Sequence, residues 1–250
     1  MSAGRSVFGL SAVLFGVIAL AWHDAETWQS LSRILRLPLG MTLGNVLMLA
    51  QIAGGIGLLA SRSARPASVV LAVVYGVFSL ACIPGIVAHP TTFAQYDGFF
   101  EQLALFCGAL AAYAATETEA KRAVALGRTA RIGLGLSTVS FTTAQAVFFR
   151  ETAGLVPAWI PPNGSFWAIL TTVAFALAAV AILFNVRTGP ALRLMTLMLI
   201  SFGVLVWVPL VAAHPREHGN WSELALTFLI AGAAWVLGDL TLRESPRRPG

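Results

Sequence analysis

The sequence predicts an all-α, polytopic membrane helix bundle, with eight transmembrane helices arranged as two parallel four-helix repeats. Three observations predict it. Hydrophobic residues make up 57% of the chain and charged residues 11%, at a mean hydropathy of +0.79, so a water-soluble fold would lack the polar surface to cover itself. Apolar runs of about 20 residues recur eight times, each long enough to cross roughly 30 Å of hydrocarbon as a helix. Matching residues recur in order at a nearly constant offset of about 126, the mark of an internal repeat. Helices are the expected spanning form because each satisfies its own backbone hydrogen bonds, and the alternating strands of a barrel are absent from the sequence.

The first run, about 7–22, follows Arg5 and ends in Ala19-Leu20-Ala21, a pattern shared with cleaved signal peptides. It is expected to be retained. Gly9-Leu10-Ser11-Ala12-Val13-Leu14-Phe15 aligns with Gly135-Leu136-Ser137-Thr138-Val139-Ser140-Phe141, and Arg5 with Arg131, at an offset of 126. The first run is therefore the counterpart of the fifth, which is no leader. The second run, about 40–60, holds Gly40-x-x-x-Gly44 and Gly54, Gly55 and Gly57, small residues that let helices approach closely in lipid. No strand precedes them, so they do not form a nucleotide-binding loop.

The third run, about 67–88, closes on ACIPGIVAHP, and the seventh, about 190–213, closes on LVWVPLVAAHP. Pro84/Pro209, His89/His214 and Pro90/Pro215 match at an offset of 125. Each inner proline lacks an amide proton and leaves a carbonyl four residues earlier, on Leu80 or Leu205, without its helical partner. The outer proline disfavours helical geometry at the histidine before it, so each histidine is expected at a frayed helix end. The fourth run, about 99–116, follows Asp97 and contains Glu101 near its start. The fifth and sixth are placed at about 131–149 and 165–184, and the eighth at about 221–241. The eighth opens on Asn220-Trp221-Ser222-Glu223, which reads as a capping box that would occupy Glu223. Leu103-Ala104-Leu105 aligns with Leu224-Ala225-Leu226 at an offset of 121.

The expected organisation is a first repeat over 1–120, a cytoplasmic linker over 121–130, a second repeat over 131–243 and a cytoplasmic tail over 244–250. Four helices per repeat is an even number, so the repeats run parallel about an axis along the membrane normal. His89 and His214 then lie at the same depth on the same side.

The net charge of +5 is a topology signal rather than a nucleic-acid footprint. Twelve of the sixteen Lys and Arg residues fall on the side of the two termini and four, Arg33, Arg36, Arg150 and Arg216, on the other. The positive-inside rule places both termini in the cytoplasm of a bacterial inner membrane, with membrane lipid as the partner and both histidine corners outside.

His89 and His214, with Glu101 and Glu223 after them, are the candidate catalytic residues. A histidine with a carboxylate in reach relays protons or polarises a bound carbonyl. The competing reading is a helix stop with an interfacial histidine. Trp207, Trp221 and Phe100 are the candidates for stacking on a flat, quinone-like ring, with Gln51 as a polar group inside a span. The other aromatic residues near the outer face, Trp22, Trp28, Trp159 and Trp167 among them, fit an interfacial belt. Asn45, Gln145 and Asn185 are expected to hydrogen-bond between helices. The spans otherwise hold almost no charge, which argues against a coupled ion transporter. No metal site is expected, because Pro215 interrupts the His214-x-x-x-His218 spacing. Haem between His89 and His214 is disfavoured by their position near the surface. Cys82 and Cys107 are expected to be packing residues.

Gln51, Gly54 and Gly55, the arginine-containing turn after them, His89 and Glu101 together resemble the DoxX-like family of four-helix membrane proteins. The second half looks like a diverged copy in which Ala178 and Ala179 replace the glycines while His214 and Glu223 remain. This chain carries Gln51 where the family often has Glu. The resemblance implies a membrane protein linked to quinone-dependent oxidation of sulfur compounds or to membrane redox complexes. The expected function is a quinone-linked redox subunit, or the membrane anchor of one, with a redox partner protein. The alternatives are a transporter or channel for a small or lipophilic solute, and a structural anchor.

Overall fold

The computed structural model describes residues 2–23 and 33–244, and among these there is no strand. Trp28 and the tail beyond Glu244 lie outside the described residues. The helices are α1 (Ala3–Ala21), α2 (Gly40–Leu58), α3 (Ala64–Ala88), α4 (Phe93–Ala114), α5 (Ala120–Val147), α6 (Phe149–Leu155), α7 (Gly164–Leu183), α8 (Thr188–Phe202), α9 (Val208–Ala213) and α10 (His218–Glu244). A π-helical segment, Gly203–Trp207, joins α8 to α9, so Thr188–Ala213 forms one span. Six helices are long and apolar enough to cross a membrane, and α5 with α6, bent by 89°, adds a seventh. Helix α4 is comparable in length at 22 residues, but Asp97, Glu101, Gln95 and Gln102 dilute its apolar character.

Every apolar run forms a helix, but three boundaries move, and each move bears on function. Helix α5 begins at Ala120, so residues 121–130 are its first turns rather than a linker. Helix α4 begins at Phe93 and α10 at His218, which draws Asp97 into a helix and moves Glu101 and Glu223 away from the helix starts. The expected capping box does not form, because Asn220 lies inside α10. Its Nδ2 donates to Glu217 Oε2 at 3.1 Å, and Ser222 Oγ donates to the His218 carbonyl at 3.2 Å. Glu223 is thereby released from a capping role.

Helix α10 is buried along 72% of its most apolar stretch, against 28% for α7 and for the Thr188–Ala213 span, so it is central and they are peripheral. It packs on α1, α4 and α8; α4 also packs on α3 and α5; α1 pairs with α2, and α5 with α7. Small residues set the close crossings, as lipid-immersed packing requires. A Cβ on Gly9 would lie 2.8 Å from the Gly55 carbonyl, where α1 crosses α2.

Several contacts occur twice. Arg5 Nη2 donates to Ser61 Oγ at 3.2 Å just beyond α2, and Arg131 Nη1 donates to the Ile182 and Leu183 carbonyls at the end of α7. Phe8 lies over Gly232, and Gly133 lies against the Cys107 sulfur. The Trp22 ring meets His218, and Phe148 meets Phe93. Cys82 and Cys107 are buried, free thiols.

Candidate functional site

The two histidine corners share one backbone structure. His89 has φ −134° and ψ 66°, and His214 φ −129° and ψ 63°. Their amides donate to the Gly85 and Leu210 carbonyls at 2.9 and 2.8 Å, closing the last helical turn in each case. The chain turns over the next residues as Thr92 and Glu217 donate back to the histidine carbonyls at 3.1 and 3.0 Å. The following helix then clamps the corner: Tyr96 Oη donates to the Pro90 carbonyl at 2.9 Å, and Trp221 Nε1 to that of Pro215 at 3.1 Å. Both imidazoles are exposed. His214 Nδ1 lies 4.0 Å from Glu217 Oε1, a carboxylate that is itself exposed. Among the described residues no hydrogen bond or ion pair brings either histidine to Glu101 or Glu223.

The inner prolines are accommodated differently in the two halves. Pro84 stays within α3, and Arg33, from a helical turn at 33–35, reaches the loosened backbone. Its Nη1 donates to the Ala81 carbonyl at 3.3 Å and to that of Cys82, and its Nη2 donates to Gln95 Oε1. Gly85 leaves room for the guanidinium, which a Cβ there would displace. Before Pro209 the chain widens into the π-helical segment, where the Val208 amide bonds the Gly203 carbonyl five residues back. Among the described residues no arginine bonds the backbone at that break.

The carboxylates do converge. Asp97 and Glu101, four residues apart, share one face of α4. Glu223 comes across from α10, and the three lie within electrostatic range of one another. Ser140 of α5 faces Asp97 but closes no hydrogen bond of normal geometry, leaving its hydroxyl and Asp97 Oδ1 buried without partners. Gln102, 6% exposed, also has an unpartnered Oε1. Glu223 is exposed, whereas Asp97 and Glu101 are half-buried and Asp97 Oδ1 is shut off from solvent, so the trio forms a partly open recess at the histidine end of the bundle. The ion pairs formed among the described residues join Arg65 and Arg122 to Glu117 and His214 to Glu217, so none neutralises this trio. Sequence reasoning found Glu101 and Glu223 but missed Ser140 and set Asp97 outside the helix. The spacing of four between Asp97 and Glu101 was the available signal.

The aromatic and amide candidates separate. Gln51 is fully buried in the core, its Nε2 donating to the Ala12 carbonyl at 3.0 Å, and so ties α2 to α1 as interhelical hydrogen bonding predicts. Gln145 does the same between α5 and α7, through Thr171 and Thr172. Phe100 meets Phe99 edge to face at 5.1 Å, and Trp221 is held by its bond to Pro215. Trp207 alone of the ring-binding candidates borders a large cavity, about 580 Å³, between α5, α7 and the Thr188–Ala213 span. The recess and this cavity lie against different faces of α5, with Ser140 on one and Gln145 on the other.

Comparison with known proteins finds no matching family model, no similar curated protein and no similar solved structure.

Proposed function

We propose that this chain is a DoxX-like protein of the bacterial inner membrane, eight helices in two parallel repeats with both termini in the cytoplasm. It acts as a quinone-linked redox subunit or as the membrane anchor of one. The repeat is supported by doubled contacts in which corresponding residues lie 125 or 126 apart: Trp22 with Phe148, Phe93 with His218, Cys107 with Gly232, Tyr96 with Trp221. These pairs hold an offset of 125 through α4 and α10, in place of the 121 expected from Leu103-Ala104-Leu105. Glu101 is then level with Leu226, and Glu223 with Gly98, so the two glutamates are independent features and not copies.

The observation that carries the functional reading is the convergence of Asp97, Glu101 and Glu223 in an outward recess where, among the described residues, none forms an ion pair. Carboxylates crowded together share protons or take up a cation, and such groups within spans mark proton pathways. Quinone chemistry couples electrons to protons, and this trio supplies the proton-exchanging side. The histidines contribute the corners that position α4 and α10. The test is quinone content in a lipid extract of the purified protein, with quinone-dependent electron transfer measured in membranes carrying wild type or Glu101→Gln. Co-purified quinone, with transfer reduced at least tenfold in the variant, supports the reading. Absence of quinone, together with unchanged transfer, removes it.

A second reading, transport of a small solute, is favoured by the position of the recess beside the contact between α4 and α10, where the two halves meet. Proton-coupled uptake into liposomes that Glu223→Gln abolishes would support it.

A further inference from the structure

The two halves differ most where the third helix of each is broken by proline. In the first half the space is filled by the chain itself: Arg33 bonds the carbonyls above the break, and Ile34 beside it is 2% exposed. The corresponding place in the second half is fixed by two glycines. A Cβ on Gly40 would collide with the Ile34 carbonyl, and one on Gly164 with the Ala153 carbonyl, so Ala153 stands where Ile34 does and Thr152 where Arg33 does. Thr152 is too short to reach across. Its hydroxyl bonds back to the Phe148 carbonyl at 3.0 Å, and beyond it lies the cavity of about 580 Å³. The cavity wall includes Val206 and Trp207, which correspond at an offset of 125 to Ala81 and Cys82, the residues that Arg33 bonds.

We propose that this cavity binds a neutral, membrane-soluble molecule with a hydroxylated head and an apolar tail, which takes the place that Arg33 and Ile34 occupy in the first half. The comparison of halves rests on the two-repeat reading; the ligand need not be redox-active. Four features specify its chemistry. No Asp, Glu, Lys, Arg or His lines the cavity, so a charged head would be desolvated without a partner. The Gln145 amide lies 3.1 and 3.0 Å from the Thr171 and Thr172 hydroxyls, which also bond the Trp167 and Ala168 carbonyls at 2.9 and 2.7 Å, so one end of the amide is held there and the other is left to bond a ligand hydroxyl. Pro209 has no amide to offer the π-helical backbone that lines the opposite wall, which leaves a carbonyl there in want of a donor. A hydroxyl both accepts and donates, and meets the two demands. Leu170, Leu194 and Leu197 line the cavity and are also exposed on the bundle's outer surface, so the tail reaches lipid without crossing a polar layer.

The test uses the full chain in nanodiscs, with Trp167 and Trp207 as reporters and 2,6-dibromo-4-dodecylphenol as the quenching probe. Saturable quenching is expected, weakened roughly tenfold by Gln145→Leu and abolished by Thr152→Arg, which rebuilds the plug of the first half. Ala174→Phe fills the cavity independently and is expected to abolish saturation too, with thermal unfolding of each variant confirming that it folds. Dibrominated phosphatidylcholine and dibromostearate are expected to quench without saturation. Quenching by the phenol that does not saturate, or that persists unchanged in a folded Ala174→Phe variant, overturns the proposal. Equal saturable quenching by the phosphatidylcholine also overturns it, because the cavity would then hold bulk lipid. The quinone content and Glu101→Gln measurements are unaffected by any of these results, so the two readings fail separately.

Discussion

The indole of Trp22 lies flat on the imidazole of His218, with ring centroids 4.2 Å apart and planes 9° from parallel. This stack fastens the end of α1 to the start of α10 across the whole length of the chain. A stacked pair at a bundle end is worth about 1 kcal/mol beyond the area it buries. A double-mutant cycle of Trp22→Leu and His218→Ala, read by unfolding in mixed micelles, is expected to give a coupling energy of that size. A coupling near zero would show that α10 alone holds the end.

Replacing a carboxylate of the recess should separate stability from function. Glu101→Gln keeps the shape and relieves the crowding of three carboxyls that form no ion pair among the described residues, so the variant is expected to be more stable than wild type by about 1 kcal/mol. The same change is expected to reduce proton-coupled activity. Thermal unfolding with the activity assay checks both, and a destabilised Glu101→Gln would mean that the carboxylate has a structural partner instead.

The helical form of every apolar run, the membrane setting and the interhelical roles of Gln51 and Gln145 were legible in the sequence, because each follows from local apolar length or from one amide in an apolar run. The corners were legible as well, since a proline before and a proline after the histidine constrain the backbone directly. The trio of carboxylates was not. Hydropathy places a boundary where side chains become polar, whereas α4 and α10 begin where the corner releases the chain, at Phe93 and His218, before the first charged residue. A carboxylate at an apparent helix start therefore belongs to the second or third turn. Arg33 was unreadable for a different reason. Its partners are backbone carbonyls 48 and 49 residues away, and nothing in the side-chain pattern of α3 advertises them.

Arg33 and Pro84 should behave as a compensating pair. Arg33→Met is expected to cost about 2 kcal/mol, because the carbonyls of Ala81 and Cys82 lose a charged donor in a low-dielectric setting. Adding Pro84→Ala gives Leu80 its missing donor and lets the helix straighten, which brings the Gly85 and Ile86 amides onto the Ala81 and Cys82 carbonyls, so the double variant should recover most of that loss. Unfolding midpoints of the three proteins decide the matter. Failure of Pro84→Ala to rescue would place the role of Arg33 at Gln95 rather than at the backbone break.

The opposite end of the bundle offers a pH test whose sign is set by Glu117. Its side chain is 4% exposed, and its Oε2 lies 3.1 Å from Arg65 Nη2 and 3.6 Å from Arg122 Nε. Its Oε1 accepts from the amides of Thr118 and Glu119 at 2.9 and 3.4 Å. Burial pushes this carboxyl up, but the two amides and then the two arginines outweigh it and hold it below the ordinary value of 4.5. A carboxyl depressed in the fold contributes stability that is complete above its unfolded value and is lost as pH falls through its folded one. The difference in Tm between wild type and Glu117→Gln is therefore expected to be constant above about pH 5 and to shrink toward zero as the pH is lowered further. Comparing the variants at each pH cancels the titration of the recess carboxylates at the other end. Arg122→Ala, which removes the longer and more exposed of the two ion pairs, should change the profile little. A difference that grows on acidification would reverse the assignment, making Glu117 a group the fold prefers uncharged.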